Sequence, residues 1–477
     1  MEAPHRGGML SRKMDEDAAR YTSSSAFDKE IFEATVYVNA AHIKALEKLG
    51  VIKHEESAEA LKVLRSLLRD RPEIPQTAED IHIFIESLVS KAVPAVGEML
   101  ALGKSRNDAV VAAVKLEAKR RIYALMKRIF EAVEELLNRS MIERDTLFPV
   151  YTHLQKAAPA TFGFVLQSYG VRLLRSVLAL NAALDACEEC PLGSAAVAGT
   201  SIPIDRRYIA ETLGFKKISV NALEATASRD FLIGLLSALL QTCIVLSSFA
   251  EEMVLYSSEE FGVLSMPEEF SATSSIMPQK RNPVVAEIMR TKTAELLGLL
   301  TSVTLILTRQ PSGYNLDLQQ TTPKLWKAVE EVDESIKLLT KIVKSVEVVR
   351  TKALEACGPP TAAVEVANTL SMEKGVGFRT AHQIAAKISK SLASKTLDQE
   401  RLNEIFREHG LEPLKIEEVL SMMDPVKAVS RYVVDGSANP VKVAEANLLL
   451  LSEVRSYKND IQLRSKDLSD VLERLLG

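Results

Sequence analysis

Apolar residues recur along this chain at helical spacing, and clear strand-like alternation is scarce. In residues 55–69, Leu61, Leu64 and Leu68 fall at i, i+3 and i+7, and Ala60, Val63 and Leu67 widen the same stripe. The pattern predicts an amphipathic helix there and a mainly α chain overall. Three longer stretches, residues 160–187, 229–257 and 284–309, are richer in apolar residues than a surface helix and contain no proline. Such helices are expected to be covered on several sides, as in a bundle that packs against further subunits. A large monomeric bundle is the other reading. Residues 231–250, FLIGLLSALLQTCIVLSSFA, are uncharged and long enough to span a bilayer. Ser237, Gln241, Thr242, Ser247 and Ser248 interrupt them, and no aromatic or basic belt flanks them. The expectation is a buried core helix and no membrane partner.

Between the helical stretches lie four segments rich in Gly, Ser, Thr and Pro: 103–108, 149–159, 192–205 and 271–283. Loops on a rigid scaffold are where catalytic groups concentrate. A further break at Ala356-Cys357-Gly358-Pro359-Pro360 stops a helix. Boundaries near 105 and 356 predict an N-terminal helical domain (1–105), a central bundle (106–356) and a C-terminal helical domain (357–477).

Composition narrows the function classes. The net charge is −4 and neither half is strongly basic, so a nucleic-acid footprint is not expected. Four cysteines, Cys187, Cys190, Cys243 and Cys357, make no disulfide framework and point to a reducing, cytoplasmic setting. Cys187 and Cys190 form a C-x-x-C without the two further ligands a zinc site needs, so no metal is expected. Residues 1–11 contain no apolar core of a secretory signal.

The densest chemistry lies in residues 271–283, SATSSIMPQKRNP, with Ser274, Ser275, Lys280 and Asn282 within nine residues. Pro278 and Pro283 forbid a continuous helix, and helical periodicity resumes at Val284. A helix N-terminus favours negative charge, and an ammonium beside it can hold a carboxylate. From the residues alone, a serine-rich connector with one solvated lysine is equally open. A second cluster is Tyr151-Thr152-His153-Leu154-Gln155, where a histidine with near-neutral pKa is a candidate acid or base. The third is Gly103-Lys104-Ser105-Arg106-Asn107-Asp108. There Arg106 offers a bidentate fork for a carboxylate, and Ser105 could simply cap a helix.

These segments together resemble the fumarase/aspartase superfamily. Residues 271–283 are similar to its G-S-S-x-M-P-x-K-x-N-P signature, with Thr273 in place of the glycine. The resemblance implies Ser274 as the base that removes a proton from carbon, with Lys280 and Asn282 holding a substrate carboxylate. Thr152, His153 and Gln155 match a T-H-L-Q region, and Ser105, Arg106 and Asn107 match S-R-N-D. Other segments resemble the argininosuccinate lyases in particular: Glu79-Asp80-Ile81-His82, Ser24 in a serine-rich run, Tyr314-Asn315-Leu316-Asp317-Leu318-Gln319, and Arg229 within residues 221–231. Residues 377–382 and Gln279 fit the same group. Ala222, Ser228 and Thr322 depart from it, at positions where serine, aspartate and lysine are usual.

The resemblance implies a mainly α homotetramer with a twenty-helix core and composite sites drawn from three subunits. It also implies β-elimination of argininosuccinate to arginine and fumarate, without cofactor or metal. Ser24, His82, Ser105, Arg106, Asn107, Thr152, Gln155, Arg229, Asn282, Tyr314 and Gln319 would bind substrate, and Ser274, His153 and Lys280 would carry the chemistry. Another superfamily lyase, such as one acting on adenylosuccinate, and a non-catalytic crystallin-like relative are the alternatives.

Overall fold

The computed structural model describes residues 14–75 and 78–477. The reading of residues 1–11 therefore lies outside the described residues. Helices dominate, and they sort into a bundle of six long ones with smaller helices at its sides. The axis is α1 (Arg106–Ile142), whose 37 residues span about 55 Å. Its first turns bury side chains on nearly every face, Val111, Ala112, Ala113 and Val114 in succession, and Ile122, Met126, Phe130, Val133 and Leu137 continue as one buried stripe.

Five further helices lie along α1: α2 (Phe162–Leu184), α3 (Asp230–Tyr256), α4 (Val284–Leu307), α5 (Thr322–Ser345) and α6 (Pro440–Leu476). Three of them are the stretches predicted from periodicity. Side-chain contacts fix their directions. The Lys115 ammonium sits 5.5 Å from the centre of the Phe231 ring, so α3 starts beside the start of α1. Arg128 pairs with Asp333 at 2.8 Å and Arg139 donates to the Lys344 carbonyl, so α5 runs the same way. Thr293 donates to the Cys243 carbonyl and Ser247 to that of Arg290, so α4 runs back against α3.

α1, α2 and α6 meet at a buried polar network. Ser140 Oγ donates to the Gly163 carbonyl at 2.6 Å and accepts from Asn447 Nδ2 at 2.8 Å. Gln167 Nε2 donates to Asn447 Oδ1 and to the Val443 carbonyl. Buried amides need such partners, so this network sets the register of three helices at once. Gly163 allows the approach: a Cβ there would lie 2.4 Å from the Ser140 carbonyl oxygen and 2.8 Å from the Arg144 backbone.

The uncharged helix α3 is mostly buried between α2, α4 and α5, as expected of a core helix. α4 is different. Only Ala286, Met289, Leu296 and Val303 are buried in it, while Ile288, Leu297 and Leu305 stand exposed. α6 likewise exposes Leu448, Leu449 and Leu463.

The helices Phe32–Lys48, His54–Asp70 and Ile81–Ala92 pack against the start of the bundle and share its core. Ala60, Leu61, Leu64 and Leu67 are buried there, as the stripe in residues 55–69 predicts. A second, separate apolar cluster forms between Val366 and Met423. α6 leaves that unit, and its Val454, Ile461 and Leu468 join the main core.

The segment expected as a loop at 149–159 forms a β-hairpin, β1 (Leu147–Thr152) paired antiparallel with β2 (Gln155–Thr161). Pro149 and Pro159 face each other in it, which hides any alternation in the sequence. Replacing Gly163 with alanine should lower the thermal midpoint of the assembled protein by the equivalent of about 1–3 kcal/mol, because backbone cannot move aside. An unchanged midpoint would show that α1 and α2 slide apart freely.

Candidate active site

The two ends of α1 organise everything chemical in the molecule. At its start, Ser24, Phe27, Asp28, Asp80, His82, Arg106, Tyr314, Gln319 and Thr322 line one cleft. Four segments far apart in sequence thus converge there, and five of the expected site residues are among them.

Each side chain is placed by a local device. Ser105 caps α1 by accepting from the Asn107 N–H, and Asp108 returns an acceptor to the Ser105 N–H at 2.9 Å, a capping box. This fixes Arg106 at the first turn. Asp80 caps the helix Ile81–Ala92 by accepting from the Ile83 N–H, which fixes His82 in that helix's first turn. Arg106 Nη1 donates to Asp80 Oδ2 at 2.5 Å and to Glu79 Oε1 at 2.6 Å. The guanidinium is thus held by two carboxylates in this chain.

Asp28 is buried beside them. It accepts from Ser24 Oγ at 2.7 Å and from the Ile81 N–H at 2.9 Å. Burial pushes its carboxyl up to about 7, and the neighbouring Asp80 adds to the rise. His82 is buried, and neither ring nitrogen has a partner among the described residues. Burial lowers its pKa, which keeps the ring neutral. Tyr314 shares a hydrogen bond with Gln319, and burial raises its phenol. Arg229 lies near Tyr314 but is fully buried, donating to the Ser228 carbonyl at 2.8 Å, and burial lowers it to about 10. Asn107 does not line the cleft; its Nδ2 donates to the Ala196 carbonyl at 3.0 Å.

Thr152, His153, Gln155, Ser274, Lys280 and Asn282 do not line this cleft. They lie at the other end of the bundle, beyond the end of α1. Tyr151 stacks 5.7 Å from Tyr256 at the end of α3 and 5.3 Å from Phe261, which joins the β1–β2 hairpin to the segment leading to Ser274. His153 and Leu154 form the two-residue tip of the hairpin, at φ 54° and 57°. Such turns normally use Asn-Gly, and each left-handed non-glycine costs about 1–2 kcal/mol. Strain of this kind clusters at functional sites.

Ser274 begins the tip of a second hairpin, whose strands pair Ala272 with Asn282 and Thr273 with Arg281. Its Oγ accepts from the N–H groups of Met277 at 3.1 Å and Ile276 at 3.3 Å. Donors aimed at a serine oxygen stabilise its alkoxide, the form a base requires. Residues 275–281 are exposed, so Lys280 is open to an incoming group.

Sequence reading passed over Asp28, Asp80 and Asp108 as functional residues. Asp28 follows Ser24 by one helical turn, and Asp80 immediately precedes a helix; both spacings were available as pointers. Cys187 and Cys190 are buried and unpaired, and burial pushes both thiols up to about 12.

The fold and these two clusters define a helical lyase. A family described as Lyase matches residues 8–298, more than half of the chain, and the chain belongs to that family. The argininosuccinate lyase of Methanothermobacter thermautotrophicus is 35% identical, over 95% of this chain and 98% of that protein. That of Methanocaldococcus jannaschii is 32% identical, over 99% of each. Within the family the chain thus falls among the argininosuccinate lyases, which are carbon–nitrogen lyases. Among solved structures, EDDS lyase in complex with formate superposes with a TM-score of 0.84 at 21% identity, covering 98% of this chain and 97% of that one. A class II fumarase from Schistosoma mansoni superposes at 0.68 with 17% identity, covering 82% and 93%. At such identities these two likenesses bear on the fold alone.

Asp28 makes stability depend on pH. Its folded pKa, about 7, lies above the ordinary 3.8, so the folded chain keeps a proton that the unfolded chain releases. This contribution is complete below the ordinary value and is lost as pH rises through the folded one. Asp28→Asn stays neutral throughout, so its thermal midpoint should fall less than the wild type's between about pH 5 and pH 8. Parallel profiles would place the proton elsewhere.

Proposed function

We propose that this chain cleaves argininosuccinate to arginine and fumarate, in the cytoplasm, on sites assembled from several copies of itself. The observation that carries this reading is the split of the site. One cluster lies at the start of α1 and the other beyond its end, about 55 Å away, while the hairpin bearing His153 has strands of only six and seven residues. No folding of one chain brings the two together, whereas symmetry-related copies packed through the bare faces of α4 and α6 can. A homotetramer with a twenty-helix core is the assembly proposed.

The reaction is a β-elimination. Ser274 removes a proton from the carbon next to a carboxylate of the succinyl group. The electrons of that C–H bond pass into the carboxylate, which becomes a doubly charged aci-carboxylate. Lys280, Asn282 and the N-terminus of α4 stabilise that charge where it develops. The electrons then return to form the carbon–carbon double bond, and the carbon–nitrogen bond breaks. His153 supplies a proton to the departing guanidino nitrogen, giving arginine and fumarate. At the other cluster Ser24, His82, Arg106, Asn107, Tyr314 and Gln319 hold the substrate, with Thr152 and Gln155 completing the site from the hairpin. A substrate carboxylate would draw Arg106 away from Asp80 and Glu79. Neutral His82, whose nitrogens have no partner among the described residues, offers one donor and one acceptor.

Purified protein mixed with argininosuccinate should release fumarate, followed by ultraviolet absorbance, together with equal arginine. Absence of both from folded tetramer would leave adenylosuccinate as the next substrate to try, or a crystallin-like scaffold without chemistry. Ser274→Ala should lower kcat by about 100-fold or more while leaving KM near its original value. Mixed tetramers of Ser274→Ala and Arg106→Ala subunits should be more active than either parent, since some sites then draw both native clusters. Activity no higher than the parents' would assign both clusters to one chain.

A further inference from the structure

The loop at 191–201 lies against the start of α1, and its geometry is unusual. Gly193 has φ 84° and Ala195 has φ 49°. The N–H groups of both residues converge on Asp108 Oδ2, at 3.0 and 2.9 Å, while the Ser105 N–H takes Asp108 Oδ1 at 2.9 Å. The carboxylate is wholly buried. Successive N–H groups curled by left-handed residues make an anion-binding concavity, and here the chain's own aspartate fills it. Arg206 braces the loop from outside, donating to the Leu192 carbonyl at 2.9 Å and to Ser194 Oγ at 3.2 Å.

One residue past Ala195, the Ala196 carbonyl accepts from Asn107 Nδ2 at 3.0 Å. Asp108 and Asn107 are neighbours on α1, so together they grip a single turn of the loop by its donors and its acceptor. The loop also borders the cleft's own wall: a Cβ on Gly313, next to Tyr314, would lie 3.5 Å from Val197 Cγ2. An alanine in the left-handed region is strained, since its Cβ crowds the following carbonyl oxygen, and it persists only where something holds it there. The charged hydrogen bonds from Asp108 supply that hold.

We infer that Asp108 is a positioning residue: by fixing the turn at 193–196 it aims the side-chain amide of Asn107 for substrate. This rests on the proposed function, in which Asn107 binds substrate.

Asp108→Asn keeps the shape of the side chain but sets an NH2 group against at least one of three converging N–H donors. A double-mutant cycle in the full-length tetramer tests the link. Asp108→Asn alone should lower kcat/KM for argininosuccinate by about tenfold, mostly through KM. Added to Asn107→Ala, it should lower kcat/KM less than twofold further, because Asp108 acts through Asn107. The full tenfold loss in the Asn107→Ala background would overturn the inference, as would no loss in the wild-type background. If Asp108→Asn does not assemble, Ala195→Val approaches the same link from the loop, since a β-branched residue cannot hold that φ. It should show the same non-additivity with Asn107→Ala. Wild-type cleavage of argininosuccinate is measured first, and its absence would count against the proposed function alone. Amide hydrogen exchange would then decide the inference. Residues 191–199 should lose protection in Asp108→Asn while residues 110–142 keep theirs, and unchanged loop protection would reject it.

Discussion

The length of one helix governs the rest of this molecule. α1 rises about 55 Å without a break, and the chain's reactive loops gather at its two ends. Every other bundle helix runs alongside it, up or down, so each connecting segment is delivered to one end or the other. The cleft with Arg106, His82 and Tyr314 belongs to the end where α1 begins. Ser274, Lys280 and His153 belong to the end where it stops. A rigid rod of packed helices holds catalytic groups well, but it cannot bend to join its ends. Chemistry that needs both clusters therefore needs a second copy. The apolar residues left bare on α4 and α6 are the complementary fact, since exposed leucines in rows mark surfaces that bind.

Electrostatics at the cleft follow from burial. Asp28, Asp80, Glu79 and Arg106 crowd together, and burial above all, with Asp80 adding to it, pushes the Asp28 carboxyl up to about 7. His82 stays neutral for the same reason. The cleft thus presents neutral donors and acceptors plus one guanidinium that two carboxylates already engage. An anionic substrate gains Arg106 only by competing with Asp80 and Glu79. Such competition favours ligands that bring their own cation, as a guanidino group would.

Sequence alone disclosed the long helices because their apolar residues recur at one period over many turns. The mainly α architecture of the chain followed from that, and its full-length likeness to other lyases agrees. The residues at the start of α1 stood out by their resemblance to a family motif, and the cap that Ser105 offered as the plainer reading is present as well. The hairpin at 147–161 was hidden by its prolines and by a tip, His153-Leu154, that no turn rule favours. The one-turn spacing from Ser24 pointed to Asp28 only weakly, because the contact that buries it, from the Ile81 N–H, comes from 53 residues away. The return of α6 to the main core was hidden too: an amphipathic helix declares that it has a buried face, but not which core receives it.

The departures from the family pattern can be weighed by where they sit. Ala222 is the first residue of a short helix capped by Asn221, which accepts from the Glu224 N–H at 3.0 Å, so alanine is a good local fit. Ser228 hydrogen-bonds to Asp230 at the start of α3. Both serve helix ends and do not line the cleft. Thr322 does line it, and is buried where a lysine is usual. A lysine there would add a cation beside Arg106, in a cleft where Asp28, Asp80 and Glu79 already outnumber the guanidinium. Lys324 does not replace it, since its ammonium donates to the Gln320 carbonyl. The cationic partner nearest in kind is Arg229, buried beside Tyr314 and bonded only to backbone carbonyls among the described residues. A guanidinium kept charged without a carboxylate is costly, and an anion reaching the Tyr314 side of the cleft would relieve that cost. Arg229 does not itself line the cleft, so the charge a lysine would bring at 322 has no direct replacement among the residues lining it.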